Sequence, residues 1–480
     1  MAGQKTLYWY DYETFGANPM YDRLVQFAGV RTDEDLNIIG EPLMMYCKPA
    51  DDFLPQPISS LITGITPQKA LLEGIPEAEF IRRINAEFSQ PNTCVLGYNN
   101  LRFDDEFTRY SLYRNLLDPY AREWRDGCSR WDLLDVVRMT RALRPEGIVW
   151  PSNDEGRPSV RLEDLTKANQ VSHESAHDAL SDVYATISIA RLIKEKQPKL
   201  YDYAYQNRGK NQVLKMLNLR EQKPVIHISG MYPVEQGNMA IVVPIANHPT
   251  NKNGVMVFDL SHDPTPLFKM NVEEIHERIF TPTAEMAEGV DRLPIKTVHA
   301  NKCPIIAPMT TLSGAQAKKY GIDLNVIRNH LAILTSGAPL NKKLQQVLNS
   351  TEFEKRTDPD YMLYGGPFFS QDDRARMDQI QQLSPQQLAD HQPVFDDKRL
   401  PEMLFRYRAR NWPESLSVAE RAQWDEFRAE RLTKQEGERL NFAAFFDEIE
   451  RLRAEPDRLG PDWAILDELE SYGKALRAGV

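Results

Sequence analysis

Two carboxylates, Asp11 and Glu13, close the segment Thr6-Leu7-Tyr8-Trp9-Tyr10, whose β-branched and aromatic residues mark it as a strand. Successive strand side chains alternate faces, so Asp11 and Glu13 share one. Neighbouring carboxylates on one face raise each other's pKa unless a cation sits between them. A metal ion answers that repulsion. Two readings stand, a metal site and a polar strand end running into a turn at Gly16. D-x-E alone does not separate them.

Two further clusters carry the same chemistry. Cys94-Val95-Leu96-Gly97-Tyr98 reads as a short buried strand. Asn99-Asn100 turns the chain, and Phe103-Asp104 opens a helix through Phe107 and Tyr110. Asp104 lies near that helix's N-terminus, as a metal ligand or a cap, and Asp105 and Glu106 could cap equally well. The third cluster begins a helix from about Asp178 to Lys194, with Ala179, Val183, Ile187 and Ala190 as its apolar stripe. Asp182 lies beside that stripe, an expensive place for a carboxylate that is neither paired nor metal-bound. His177 precedes the helix; its imidazole suits proton abstraction from water, and it also fits a surface flank. If the clusters meet, Asp11, Glu13, Asp104, Asp182 and His177 supply what two Mg²⁺ ions need to hold a phosphodiester and activate a water. An all-carboxylate ligand set favours Mg²⁺ or Mn²⁺ over zinc.

Composition narrows the class. The chain has 480 residues, 41% hydrophobic and 26% charged, which is ordinary for a globular protein of several domains. It has no apolar run of about 18 residues, so no membrane span is expected. Met1-Ala2-Gly3-Gln4-Lys5 leads straight into a strand, which leaves no room for a signal peptide and points to a cytoplasmic protein. Cys47, Cys94, Cys128 and Cys303 form no C-x-x-C pair, which speaks against a zinc site or disulfide scaffold. The net charge of −11 is unevenly spread: residues 199–350 hold 17 Lys and Arg against 12 Asp and Glu. An acidic protein can thus carry a basic stretch for an anionic partner.

The pattern divides the chain into domains at 1–197, 198–352 and 358–480. The first alternates strands and helices, as α/β domains do. A connecting helix follows from Leu200 to Leu219, then short strands set between Gly, Pro and Asn turns, then helix from Gly314 to Val347. The last domain is helical, with amphipathic segments Ala419–Leu432, Gly437–Ala454 and Trp463–Ala478. Its segment Phe405-Arg406-Tyr407-Arg408-Ala409-Arg410-Asn411-Trp412 mixes three arginines with three aromatics. Arg406 and Arg410 share a helix face, for DNA, for another domain or for solvent.

The order D-x-E, N-x-x-F-D, H-x-A-x-x-D resembles the DEDDh subclass of the DEDD exonuclease superfamily. The likeness extends through Asp11-Tyr12-Glu13-Thr14-Phe15-Gly16, Leu61-Ile62-Thr63-Gly64-Ile65-Thr66-Pro67-Gln68, Ser129-Arg130-Trp131-Asp132-Leu133-Leu134-Asp135, His227-Ile228-Ser229-Gly230-Met231 and Asn301-Lys302-Cys303-Pro304. These segments are similar to the bacterial exodeoxyribonuclease I family over essentially the whole chain. The resemblance implies an α/β fold: a ribonuclease H-like exonuclease domain, a Src-homology-3-like β-barrel domain and a helical C-terminal domain. It implies a processive 3′→5′ exonuclease that degrades single-stranded DNA to 5′-mononucleotides with two Mg²⁺ ions (Mn²⁺ substituting), in DNA repair and recombination. It makes Asp11, Glu13, Asp104 and Asp182 the metal ligands and His177 the base, with Glu13 also at the terminal nucleotide. Arg161 would contact DNA near the scissile end, and Arg109, Tyr120, Trp124 and Arg138 would line the single-strand path. A monomer is implied, as is a partner, the C-terminal tail of the single-stranded-DNA-binding protein, for which Arg144 and Lys223 are the candidates. A superfamily ribonuclease, a non-catalytic scaffold and a polymerase proofreading partner are the alternatives.

Overall fold

The computed structural model describes residues 4–171, 178–349, 356–391, 393–456 and 460–480. Strands β1 (Thr6–Thr14), β2 (Leu24–Thr32), β3 (Ile38–Tyr46), β4 (Thr93–Gly97) and β5 (Ser129–Asp132) form one sheet in the order β3-β2-β1-β4-β5. β1 is antiparallel to β2 and parallel to β4, so it lies inside the sheet with a neighbour on each side. Its alternation is complete. Tyr8, Tyr10 and Tyr12 enter a core with Phe27, Val95, Phe107 and the helix residues Phe80, Ile84 and Phe88. Asp11 and Glu13 are left on the opposite face, across from Ala28 and Gln26 of β2. The ladder slips between Glu13 and Thr14, which ends the regular strand just beyond the second carboxylate.

The chain forms two compact units. One contains residues 1–130, 173–184 and 355–480, and the other residues 131–172 and 185–354. In the first, the C-terminal helices share their cores with the N-terminal segment. Tyr110, Tyr113 and Leu116 pack with Leu363, Met377, Leu400, Met403 and Tyr407. Leu54 packs with Leu432, Phe445, Ile449, Leu466 and Leu469.

In the second unit, β6 (Val225–Ile228), β7 (Met239–Asn247), β8 (Gly254–Asp259), β9 (Ile295–His299) and β10 (Ile305–Pro308) make an antiparallel sheet in the order β10-β6-β7-β8-β9. Ile241, Val243 and Ile245 face one core, shared with Leu334, Leu344 and Val347. Ala240 and Val242 face another, with Val213 and Leu217. Both faces are covered, which is why these strands read as continuous apolar runs.

Three helices differ from the sequence expectation. The connecting helix is two, Pro198–Gln206 and Lys210–Met216, because Gly209 is extended and takes the N-cap position of the second. The Gly314–Val347 segment is three helices, parted at Gly321 (φ +67°) and at the Gly337 cap. The helix expected from Gly437 begins at Phe442, since Gly437 has φ +56° and the Asn441 side chain caps the Ala444 N–H. All four cysteines are free thiols. Among the described residues, no helix is long and apolar enough to cross a membrane.

Candidate metal and nuclease site

The strand and helix patterns converge on one point. Asp11, Glu13 and Asp182 each bring a carboxylate oxygen within 4.8 Å of the others. Asp182 reaches this place from the first turn of the Ala179–Lys196 helix, whose residues Ala179, Val183, Ile187 and Ala190 are buried. Its backbone N–H donates to the Asp178 carbonyl at 3.1 Å, so the helix start fixes its position.

Asp104 and Asp105 separate two tasks that the sequence left undivided. Both stand in the first turn of the Asp104–Arg114 helix, and Phe103 occupies the cap position with no side-chain cap bond. Asp105 turns into a buried cluster. It pairs with Arg122 at 2.7 Å and Arg130 at 2.5 Å, and it accepts from the Tyr10 hydroxyl at 2.8 Å. Asp105 thus anchors the helix to β1 and is not the cap. Asp104 stands outside the group of three, yet its charge acts on both Asp11 and Glu13.

Burial raises the Asp11 carboxyl well above the usual carboxylate range, and Asp104, Glu13, Asp182 and Asp178 add to the rise. Glu13 is pushed up to about 8, by burial first and then by Asp182, Asp104 and Asp178. The neighbouring charges that act on this pair are themselves carboxylates. A bound divalent cation removes that penalty, and hard carboxylate oxygens are what Mg²⁺ and Mn²⁺ prefer. The residues present therefore fit such a cation.

The other expected residues lie as follows. His177 is outside the described residues. Arg161 is exposed and paired with Glu163 at 3.0 Å. Arg109 is buried, its guanidinium held by Glu106 and Glu123, each at 2.8 Å, and by the Tyr364 hydroxyl at 3.0 Å. It also stands over the Tyr120 ring at 5.5 Å. Trp124 is 65% exposed, with Arg125 over its ring. Arg138 pairs with Asp135 at 2.6 Å and lies so close over Gly230 that a Cβ there would meet its Nη2 at 2.6 Å. Arg144 donates to the Thr311 carbonyl at 3.1 Å, and Lys223 is exposed and paired with Glu221 at 2.6 Å.

Two residues at the site escaped the sequence reading. Asp178 adds a further carboxylate, and Gln26 of β2 meets it at 3.3 Å. A signal existed for Gln26: it is the one amide in the apolar run Leu24-Val25-Gln26-Phe27-Ala28-Gly29-Val30.

Family models match the chain in order: "Exonuclease" over residues 8–190, "Exonuclease I SH3-like domain" over 208–350 and "Exonuclease I C-terminal domain" over 357–476. Exodeoxyribonuclease I of Haemophilus influenzae is 48% identical over 427 residues, which is 88% of this chain and 90% of that protein. The chain belongs to the exodeoxyribonuclease I family. Membership makes it an exodeoxyribonuclease, and its fold is the expected one: an exonuclease domain, a Src-homology-3-like domain and a helical C-terminal domain. A moderately thermophilic exonuclease I from Methylocaldum szegediense matches with a TM-score of 0.94 at 51% identity, covering 98% of this chain and 99% of that one. The zinc-bound form of an E. coli exonuclease I–single-stranded DNA complex matches with a TM-score of 0.94 at 43% identity, covering 99% of this chain and 100% of that one.

Proposed function

We propose that the chain hydrolyses single-stranded DNA processively from its 3′ end, releasing 5′-mononucleotides, in DNA repair and recombination. The observation that carries the reading is the convergence of Asp11, Glu13 and Asp182 within 4.8 Å. The DNA complex of the E. coli relative supports the substrate class. Two divalent cations, Mg²⁺ or Mn²⁺, would polarise the phosphodiester, lower the pKa of a water and stabilise the leaving oxygen when bound. The zinc found in that relative fits a divalent site without selecting its working metal.

The chain's own groups take defined parts. Asp11 would hold both cations, Glu13 and Asp182 would ligate one or other of them, and Asp104 would ligate the second. Glu13 also orients the terminal nucleotide. His177 takes the proton from the attacking water, a task that suits an imidazole near neutral pH. Arg161 grips a phosphate near the scissile end with its exposed guanidinium. Trp124 and Tyr120 stack bases, worth roughly 1–3 kcal/mol each and tolerant of sequence. Arg109 would act on DNA through Tyr120, since its own donors are met by protein groups. Arg138 completes the path.

The domains run over 1–197, 198–352 and 358–480. The protein acts as a cytoplasmic monomer and docks the acidic tail of a single-stranded-DNA-binding protein at Arg144 and Lys223. Direction is tested with oligonucleotides carrying nuclease-resistant phosphorothioate linkages at one end. Protection by 3′ linkages and none by 5′ linkages is expected; the reverse would overturn the reading.

A further inference from the structure

Asp11 and Glu13 ride on β1, whose place is set by two strand ladders, whereas Asp182 rides on a helix outside the sheet. Something must register helix to sheet for the three oxygens to meet. Glu13, Gln26 and Tyr46 stand directly across from one another on β1, β2 and β3, so their side chains share the face that carries the carboxylates.

Gln26 is buried, and both ends of its amide are used. Nε2 donates to Asp178 Oδ1 at 3.3 Å and to the Tyr46 hydroxyl at 3.2 Å. Oε1 accepts from the Ala179 N–H at 3.4 Å. Asp178 Oδ2 in turn accepts from the Ser181 N–H at 3.3 Å, the geometry of an N-cap. Gln26 therefore holds both the cap and the first N–H of the helix that presents Asp182 three residues later.

We infer that Gln26 is a positioning residue for the cation site: through Asp178 and Ala179 it sets the distance of Asp182 from Asp11 and Glu13. The inference rests on the cation-binding reading above. A neutral amide suits the task. It donates to Asp178 without adding charge to a crowded anionic site, and it accepts from the helix start without competing for the cation as a carboxylate would. Outer groups that orient metal ligands typically change affinity by about 10–100-fold when replaced.

The experiment titrates the full chain with Mn²⁺ alone, reading free Mn²⁺ by electron paramagnetic resonance. It compares wild type, Gln26→Met, Gln26→Leu and Asp182→Asn, with thermal melting alongside. Gln26→Met keeps the volume and removes both hydrogen-bonding ends. Gln26→Leu removes the same two ends with a branched side chain and, like methionine, adds no charge to the site. Both are expected to weaken Mn²⁺ binding about 10-fold. Their kcat should fall at limiting Mn²⁺ and recover at saturating Mn²⁺, with KM for single-stranded DNA unchanged. Mn²⁺ affinity within twofold of wild type in either folded variant, whatever its melting temperature, would overturn the inference and leave Gln26 a packing residue. Wild type that binds no Mn²⁺ would overturn the cation reading itself, a result distinct from the former.

Discussion

Glu13 shows at one residue what the site costs the fold. Its carboxyl is pushed up to about 8, whereas in an unfolded chain it titrates near 4.5. A folded pKa above the unfolded one stabilises the fold fully below the lower value and loses that contribution as pH rises through the higher. In the cation-free protein the contribution is therefore lost between about pH 4.5 and 8, and Asp11 shifts in the same direction. We predict that the melting temperature of the EDTA-treated protein falls across that window and that Mg²⁺ or Mn²⁺ reverses the fall most strongly at the alkaline end. Calorimetry at stepped pH with and without cation checks it; a cation effect equal at pH 5 and pH 8 would contradict it. Asp182→Ala removes one of the three converging carboxylates, a cation ligand in the proposed reading. Metal charge stabilisation is worth several kcal/mol, so kcat should fall by roughly three orders of magnitude while the fold is kept.

At the scale of elements, the arginine-rich Leu400–Asn411 helix proves to be a structural clamp. Arg410 pairs with Asp52 at 2.9 Å and Asp360 at 2.5 Å, and Arg406 pairs with Asp358 at 2.5 Å. Arg431 joins Asp52 at 3.3 Å. Of the readings open in the sequence, contact with another domain is found for Arg410, through Asp52, whereas the Arg406 partners Asp358, Asp360 and Glu402 lie in its own domain. Burial by itself would raise Asp52, but Arg410, Arg431 and Arg23 outweigh it and hold its carboxyl well below the usual range. Asp360 is held down in the same way by Arg410 and Arg406. Depressed carboxyls stabilise the fold above their unfolded pKa and lose that contribution as pH falls through the folded one. The clamp should thus survive mild acid and fail only well below about pH 4. Asp52→Asn strands buried guanidinium charge and should cost about 3–5 kcal/mol in denaturant unfolding.

These elements also show what a sequence can display. The shared face of Asp11 and Glu13 was legible because strand alternation admits one answer. Asp182 was legible because a carboxylate beside an apolar stripe requires a partner. The division between Asp104 and Asp105 was not, since adjacent acids at a helix start are equivalent until Arg122 and Arg130 claim one. The partners of Arg406 and Arg410 were hidden for a different reason. Arginines among aromatics look alike whether they face a nucleic acid or distant acids, and Asp52 lies far away in sequence. Gln26 was visible as an odd amide in an apolar strand, but its task depends on a helix more than a hundred residues later.

At the scale of the whole molecule, the C-terminal helices complete the core around the Asp104–Arg114 helix, which presents Asp104. Leu400, Met403 and Tyr407 pack on Tyr110, Tyr113 and Leu116 of the N-terminal segment. Removing residues 358–480 would bare that surface, so truncation is expected to destabilise the nuclease segment along with any effect on strand retention. Processivity is better measured on the full chain, by adding excess unlabelled single strand after cleavage has begun. Continued shortening of the labelled strand is expected; an immediate halt would show that each cut ends in release.

Single-strand-specific hydrolysis at the three carboxylates is tested by a time course with Mg²⁺ on 5′-labelled single-stranded DNA, the matched RNA and a blunt duplex, run with wild type and Asp182→Ala. Stepwise shortening of the DNA single strand alone, lost in the variant, is expected. Preferential degradation of the RNA, or unchanged cleavage by Asp182→Ala, would contradict it.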